Sequence, residues 1–261
     1  MKIVVPVKHV PEPTALWRFA DDLTIDRDAV EGRLSELDEY AVEQAVRLVE
    51  AGLDAEIVAL TVGPDRAADS LRKALAMGAT SGVHVLDDRM HGSDALSTAR
   101  VLAAAIERTG FDLVITGMAS TDAEMSVVPA MLAERLGVAQ VTFASALSVD
   151  GAAGTVTIRR DGDTASEEVV ASLPAVVSVT DRTGEARYPA FKAIMASKKK
   201  PVATYGLADL GIAPDEVGLA AAGCVVRALA PRPPRQAGTV VVDDGDGAVR
   251  IAEFLGERRF L

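Results

Sequence analysis

The apolar and polar positions of this chain follow two regimes that change near Gln140. Before it, short and largely apolar runs at 3–7, 55–62, 83–86 and 113–116 are rich in β-branched residues. That is the pattern of strands buried on both faces. Amphipathic stretches lie between them. Asp38 is an N-cap for a helix to Val49, with Ala41, Ala45, Leu48 and Val49 on one face and Gly52 as its stop. A second helix is predicted over 66–77, with Leu71 and Leu75 inward and Gly78 at its end. A third begins at Ser93 or Asp94 and runs to Glu107, and a fourth runs from Asp122 to Leu136 before Gly137.

Strands and helices alternating at this spacing predict an α/β fold, an open, doubly wound, mostly parallel sheet with helices on both faces. After Gln140 the period shortens. Segments 144–149, 155–160 and 167–173, separated by Asp150-Gly151 and Asp161-Gly-Asp163, read as an antiparallel hairpin addition. Residues 174–180 form another buried strand, and 23–27 a short edge strand. Beyond 201 the order weakens. Pro231, Pro233 and Pro234 indicate an extended C-terminal arm, with a short helix at 249–255. A long tail with little core of its own is expected to wrap a partner subunit.

Charge narrows the function. A formal net charge of −11 over 261 residues argues against nucleic acid as the main partner. Cys224 is the single cysteine, which excludes an intramolecular disulfide and a cysteine-based metal site and fits a reducing, cytoplasmic setting. No stretch approaches the roughly 20 apolar residues that span a bilayer, so no membrane insertion is expected.

No nucleotide P-loop, dinucleotide fingerprint, zinc-protease or nucleophile-elbow motif is present. His9, His84 and His91 are scattered, and Ser70-Leu-Arg-Lys73 has no companion motif. Asp243, Asp244 and Asp246 fit a solvated acidic turn better than a hard-cation loop. Trp17, in a polar loop, fits either a ligand cover or a plug. No catalytic constellation and no metal site is expected.

Two stretches remain. In an open α/β sheet, ligands bind beyond the carboxyl ends of the strands, where the strand order reverses. The loops after Pro6, after Val62 and from Gly117 to Val128 emerge there. The last leads into a helix, whose free N–H groups and dipole would hold an anion, with the Ser126 hydroxyl as a further donor. A nucleotide phosphate suits it, although a cap at Thr121 or Asp122 would leave a similar sequence. The other stretch is Ala186-Arg-Tyr-Pro-Ala-Phe-Lys-Ala-Ile-Met-Ala-Ser-Lys-Lys-Lys-Pro201, a basic and aromatic island in an acidic chain. It reads either as a partner surface or as a solvated helix end with Phe191 in the core.

Four stretches, Val4-Val-Pro-Val-Lys8, Asp38-Glu-Tyr-Ala-Val-Glu43, Arg72-Lys-Ala-Leu-Ala-Met-Gly-Ala79 and above all Arg187 to Lys200, resemble the beta subunits of electron transfer flavoproteins. The resemblance covers essentially the whole chain. It implies an adenine-nucleotide-binding α/β domain over 1–185, a partner-recognition loop and helix over 186–200, and a C-terminal arm over 201–261 that wraps an alpha subunit. It implies one FAD per heterodimer, held mainly by alpha, and an AMP in the beta subunit.

Electrons would pass from dehydrogenases, such as acyl-CoA dehydrogenases, through the flavin towards a quinone oxidoreductase. The chain would be a carrier subunit and not an enzyme. Nucleotide positions carried over are Pro6, Ser35, Glu36, Leu37, Asp38, Val62, Gly117, Asp122, Ala123, Glu124, Met125, Ser126, Val127 and Val128. Leu37 falls near the flavin. Partner positions are Tyr188, Pro189, Phe191, Lys192, Ile194 and Met195, with Phe191 as the apolar anchor and Lys198 to Lys200 steering acidic partners.

The chain departs from the family at Ser35-Glu36, often Asn-Pro, and at Ser126, often Gly or Asn. The first change removes a side-chain amide that could contact adenosine. Backbone donors at Ser126, Val127 and Val128 are indifferent to such changes. Rival readings are a bifurcating subunit with a second FAD in place of AMP, and a stand-alone adenine-nucleotide-binding regulatory protein. A hydrolase acting on adenine nucleotides lacks an acid–base pair.

Overall fold

Ile3, Val4 and Val5 have no solvent-accessible surface, and the sheet is built around them. The computed structural model describes residues 1–235, 238 and 240–260. They divide into two units, Met1–Arg227 and Ala228–Leu261.

In the first unit, β1 (Lys2–Pro6), β4 (Glu56–Val62), β5 (Ser81–Val85), β6 (Leu113–Gly117), β7 (Ala139–Asp150), β8 (Thr155–Asp161), β9 (Ser166–Ser172), β10 (Ala175–Val179) and β11 (Val202–Tyr205) form one nine-stranded sheet. Its order is β11-β5-β4-β1-β6-β10-β7-β8-β9. Pairing is parallel from β11 to the first half of β7. β8 and β9 then continue it antiparallel. A separate antiparallel ribbon joins β2 (His9–Pro11) and β3 (Gly32–Leu34).

Helices cover both faces. α1 (Glu36–Glu50) and α2 (Ala67–Met77) pack on one core with Ala41, Leu48, Leu71 and Leu75. α3 (Ala95–Thr109) and α4 (Val128–Leu136) pack on the other with Val101, Leu102, Ile106 and Leu132. Asp94 caps α3 by accepting the Ser97 amide at 2.9 Å. The chain steps outward from β1 to β4 and β5, then returns to β6 on the other side of β1. The order therefore reverses at β1, and the crevice opens between the loops after β1 and β6.

Several elements differ from the sequence expectation, each for a local reason. The fourth helix starts at Val128, not Asp122, because Pro129 fixes its first turn and Glu124 and Ser126 take left-handed φ values of 52° and 56°. Asp38 does not cap α1. The helix begins at Glu36, and the buried Asp38 side chain turns towards β1. β7 starts at Ala139, five residues early. It pairs with β10 and then β8, changing partner where Phe143 sits at φ 62°. Residues 23–27 make only a single bridge, Phe19 to Ile25. Residues 202–205, expected to open the arm, pair with β5.

The last turns of the first unit include α5 (Phe191–Ser197) and α6 (Gly218–Ala221). In the second unit the described residues before α7 (Gly247–Glu257) form no helix or strand. Asp243 accepts the amides of Gly245 and Gly247 at 2.9 Å, and Asp246 pairs with Arg250 at 2.7 Å. The acidic turn is thus a helix start, and no group of metal-ligating side chains occurs among the described residues. Gln236, Ala237, Thr239 and Leu261, part of the expected arm, lie outside the described residues. No described helix is long and apolar enough to cross a membrane.

Candidate functional site

The crevice at the reversal is lined by charge. The Lys8 amide, just past β1, donates to Asp38 Oδ2 at 2.8 Å. Its Nζ reaches across to Ser120 Oγ at 3.2 Å and Asp122 Oδ1 at 2.8 Å, beyond β6. Arg27 arrives from the loop between β2 and β3 and donates to Asp122 Oδ2 at 2.6 Å. The Asp122 side chain is 1% exposed, whereas Lys8 and Arg27 remain 41% and 35% exposed. Burial alone would raise the Asp122 carboxyl, but Lys8 and Arg27 outweigh it and hold it down at about 2. Burial dominates at Asp38 instead, and pushes that carboxyl up to about 7 against the amides of Lys8 and Gly117. Asp38 is therefore largely neutral below pH 7. Two cations then face one ionised carboxylate, so the Lys8–Arg27–Asp122 cluster is net positive.

Gly117 is required by this geometry. A Cβ there would stand 2.7 Å from the backbone of Leu37 and 2.8 Å from Asp38 Oδ1. The absent side chain lets the end of β6 touch the start of α1.

The expected site residues fall into groups. Pro6, Ser35, Leu37, Asp38, Val62, Gly117 and Asp122 gather at the carboxyl ends of β1, β4 and β6. Glu36, Ala123, Glu124 and Met125 are exposed at the rim. Among the described residues, the amides of Met125, Ser126, Val127 and Val128 donate to no backbone acceptor. Ser126 has the left-handed φ that glycine or asparagine adopts with less strain. The buried Ser35 and Thr121 hydroxyls also have no partner among the described residues. Unpaired buried polar atoms are costly, so an arrangement with several of them fits a polar ligand. Lys8 and Arg27 were missed as site residues. Lys8 had a signal, as the first basic residue after the central strand; Arg27 had none.

Other expected features are structural. His9 Nδ1 lies 2.9 Å from Ser70 Oγ, while Lys73 pairs with Glu39. The Ser-x-x-Lys pair thus has no shared chemistry. His84 contacts Gly63 O at 2.9 Å, and His91 contacts Asp22 at 2.7 Å. Trp17 is half-buried, its indole N–H on Glu12 O at 3.0 Å.

Phe191 is 78% exposed and Tyr188 85%, which removes the reading that places Phe191 in the core. Met195 and Lys192 are exposed beside them, with Pro189 and Ile194 half-buried. Lys200 does not steer partners. Its Nζ donates to the carbonyls of Leu75 (2.8 Å) and Ala79 (2.6 Å) at the end of α2, and burial lowers its pKa. A half-buried ammonium bound to helix-terminal carbonyls is structural. Lys198 and Lys199 are exposed.

The fold is that of an open α/β protein with a polar crevice at its switch point and a separate element that exposes large apolar side chains. A model of the electron transfer flavoprotein domain matches residues 22–210. The chain is 42% identical to the electron transfer flavoprotein subunit beta of Mycobacterium tuberculosis, over 99% of each chain. It is 43% identical to that of Mycobacterium leprae over the same share, and 39% identical to that of Syntrophomonas wolfei over 78% of this chain and 79% of the relative. The chain belongs to the electron transfer flavoprotein family and is a beta subunit.

Proposed function

We propose that this chain pairs with an alpha subunit, shares one FAD with it, and holds AMP in the switch-point crevice. When bound, the flavin supplies the electron-accepting chemistry. Residues of this chain position and enclose. The open amides at 125–128 and the net positive Lys8–Arg27–Asp122 cluster suit a phosphate, and the unpartnered Ser35 and Thr121 hydroxyls suit further polar groups of the nucleotide. Leu37, half-buried at the crevice edge, faces the shared flavin. Dehydrogenases dock on Tyr188, Phe191 and Met195, and electrons leave towards a quinone oxidoreductase.

The observation that carries this reading is the apolar element held out to solvent within a chain that matches beta subunits along its length. Large apolar side chains exposed together mark interaction sites. The test is Phe191→Ala in the flavin-loaded heterodimer. Electron uptake from a dehydrogenase should fall with flavin content unchanged. Loss of flavin with no specific loss of uptake would contradict the docking role.

A further inference from the structure

We propose that Glu43 is a positioning residue for partner docking. It acts through Arg187 to fix where Phe191 stands. The inference rests on the reading of 186–197 as the docking element, and it assigns a role to a buried carboxylate on a different element.

The stretch that leads into α5 has little structure of its own to hold it, whereas α5 itself packs on α2. Among the described residues, none of the amides from 185 to 192 donates to a backbone acceptor. Phe191 packs no core, being mostly exposed. The chain here is instead held by polar side chains from one face of α1. Gln44 and Arg47 donate to Thr183 O, both at 3.1 Å, and Arg47 also donates to Glu185 O at 2.9 Å. Glu43 accepts from the Arg187 guanidinium at 3.0 and 3.1 Å and from its backbone amide at 3.3 Å. Glu50 takes the outer nitrogens of Arg187 at 2.8 and 2.9 Å.

The two carboxylates differ in what they can fix. Glu50 is 55% exposed, and a solvated pair of that kind holds little. Glu43 is 2% exposed and is also bound by Arg47 at 2.7 Å, so its oxygens are fixed. Burial raises its pKa, yet the arginines prevail and lower it, so it stays ionised. A fixed carboxylate receiving both a guanidinium and a main-chain amide sets the direction of the chain at Arg187. Phe191 follows four residues later. At the far end, Lys200 fastens the element to α2.

The test uses the flavin-loaded heterodimer with Glu43→Gln, Arg187→Lys and Phe191→Ala. The probe is a purified acyl-CoA dehydrogenase with its acyl-CoA, chosen because it reduces the wild-type heterodimer. Glu43→Gln should raise the KM for the heterodimer about tenfold, with kcat within about twofold and flavin content unchanged. Hydrogen exchange at the Arg187 amide, which donates to Glu43, should quicken, while the amides of β1 and β6 keep their protection. A purely structural role would instead lower flavin content and stability without separating KM from kcat. If Glu43→Gln fails to fold, Arg187→Lys, which keeps the charge but lacks the Nε–H that Glu43 accepts, should give the same KM effect. A Phe191→Ala effect on KM without one from either ion-pair variant overturns the inference alone. No effect from Phe191→Ala overturns the docking reading and the inference with it.

Discussion

Lys8 Nζ lies 2.8 Å from Asp122 Oδ1, joining the loops that follow β1 and β6 across 114 residues of sequence. With Arg27 on the other oxygen, Asp122 organises the cations of the crevice while staying out of solvent itself.

Asp122→Asn should flatten the acid limb of the stability profile. The folded-state pKa of Asp122 lies below its ordinary value, so its stabilisation is complete above pH 4 and is lost as pH falls towards 2. A shift of this size corresponds to about 2 kcal/mol. Thermal midpoints of the heterodimer between pH 5 and pH 2 would check it. An equally steep fall in the variant would show that Asp122 is not the group responsible.

Asp38 gives the opposite sign. Its folded-state pKa is raised to about 7, so the folded form keeps a proton that the unfolded form has lost. Stability should fall as pH rises from about 4 through 7. Asp38→Asn, whose amide oxygen can still accept the Lys8 amide, should remove that slope. Carboxyl titration followed by infrared absorption gives a second view, with a band of protonated carboxylic acid near pH 6 expected in the parent and absent in the variant.

Gly117→Ala should force β6 away from α1, because the added Cβ meets backbone atoms and not a flexible side chain. The expected cost is about 1–3 kcal/mol, with crevice nucleotide content falling more than flavin content. A variant of full stability and full nucleotide content would show that the close approach is not needed.

The three lysines should separate. Lys198→Glu with Lys199→Glu should slow association with an acidic partner at low salt, and the effect should fade at high ionic strength. Lys200→Ala should instead destabilise the fold at all salt concentrations by about 1–3 kcal/mol, since two carbonyls lose their donor. Stopped-flow association at several salt concentrations and thermal unfolding distinguish them.

The sheet was legible because buried parallel strands write themselves as β-branched runs, as in residues 2–6 and 113–117. The crevice followed from topology. What escaped depends on long-range contacts. Asp38 looks like an N-cap in sequence, and only the close approach of β1 and β6 to the start of α1 buries it and makes it an acid that keeps its proton. Lys200 looks like the end of a solvated run, and only the carbonyls of Leu75 and Ala79 make it structural. Residues 202–205 are too short to announce a strand, and only the free edge of β5 recruits them. Arg27 sits in a loop with no periodicity at all, and only Asp122 and the His9 carbonyl give it a place.

The most direct test of the functional account is to co-express this chain with its alpha partner, purify through a tag on this chain, denature, and count the released nucleotides. One FAD and one AMP per heterodimer is the predicted result, with AMP lost selectively when Gly117 is enlarged. Two FAD and no AMP would contradict it in favour of a bifurcating subunit. A flavin-free monomer holding an adenine nucleotide would contradict the carrier role altogether.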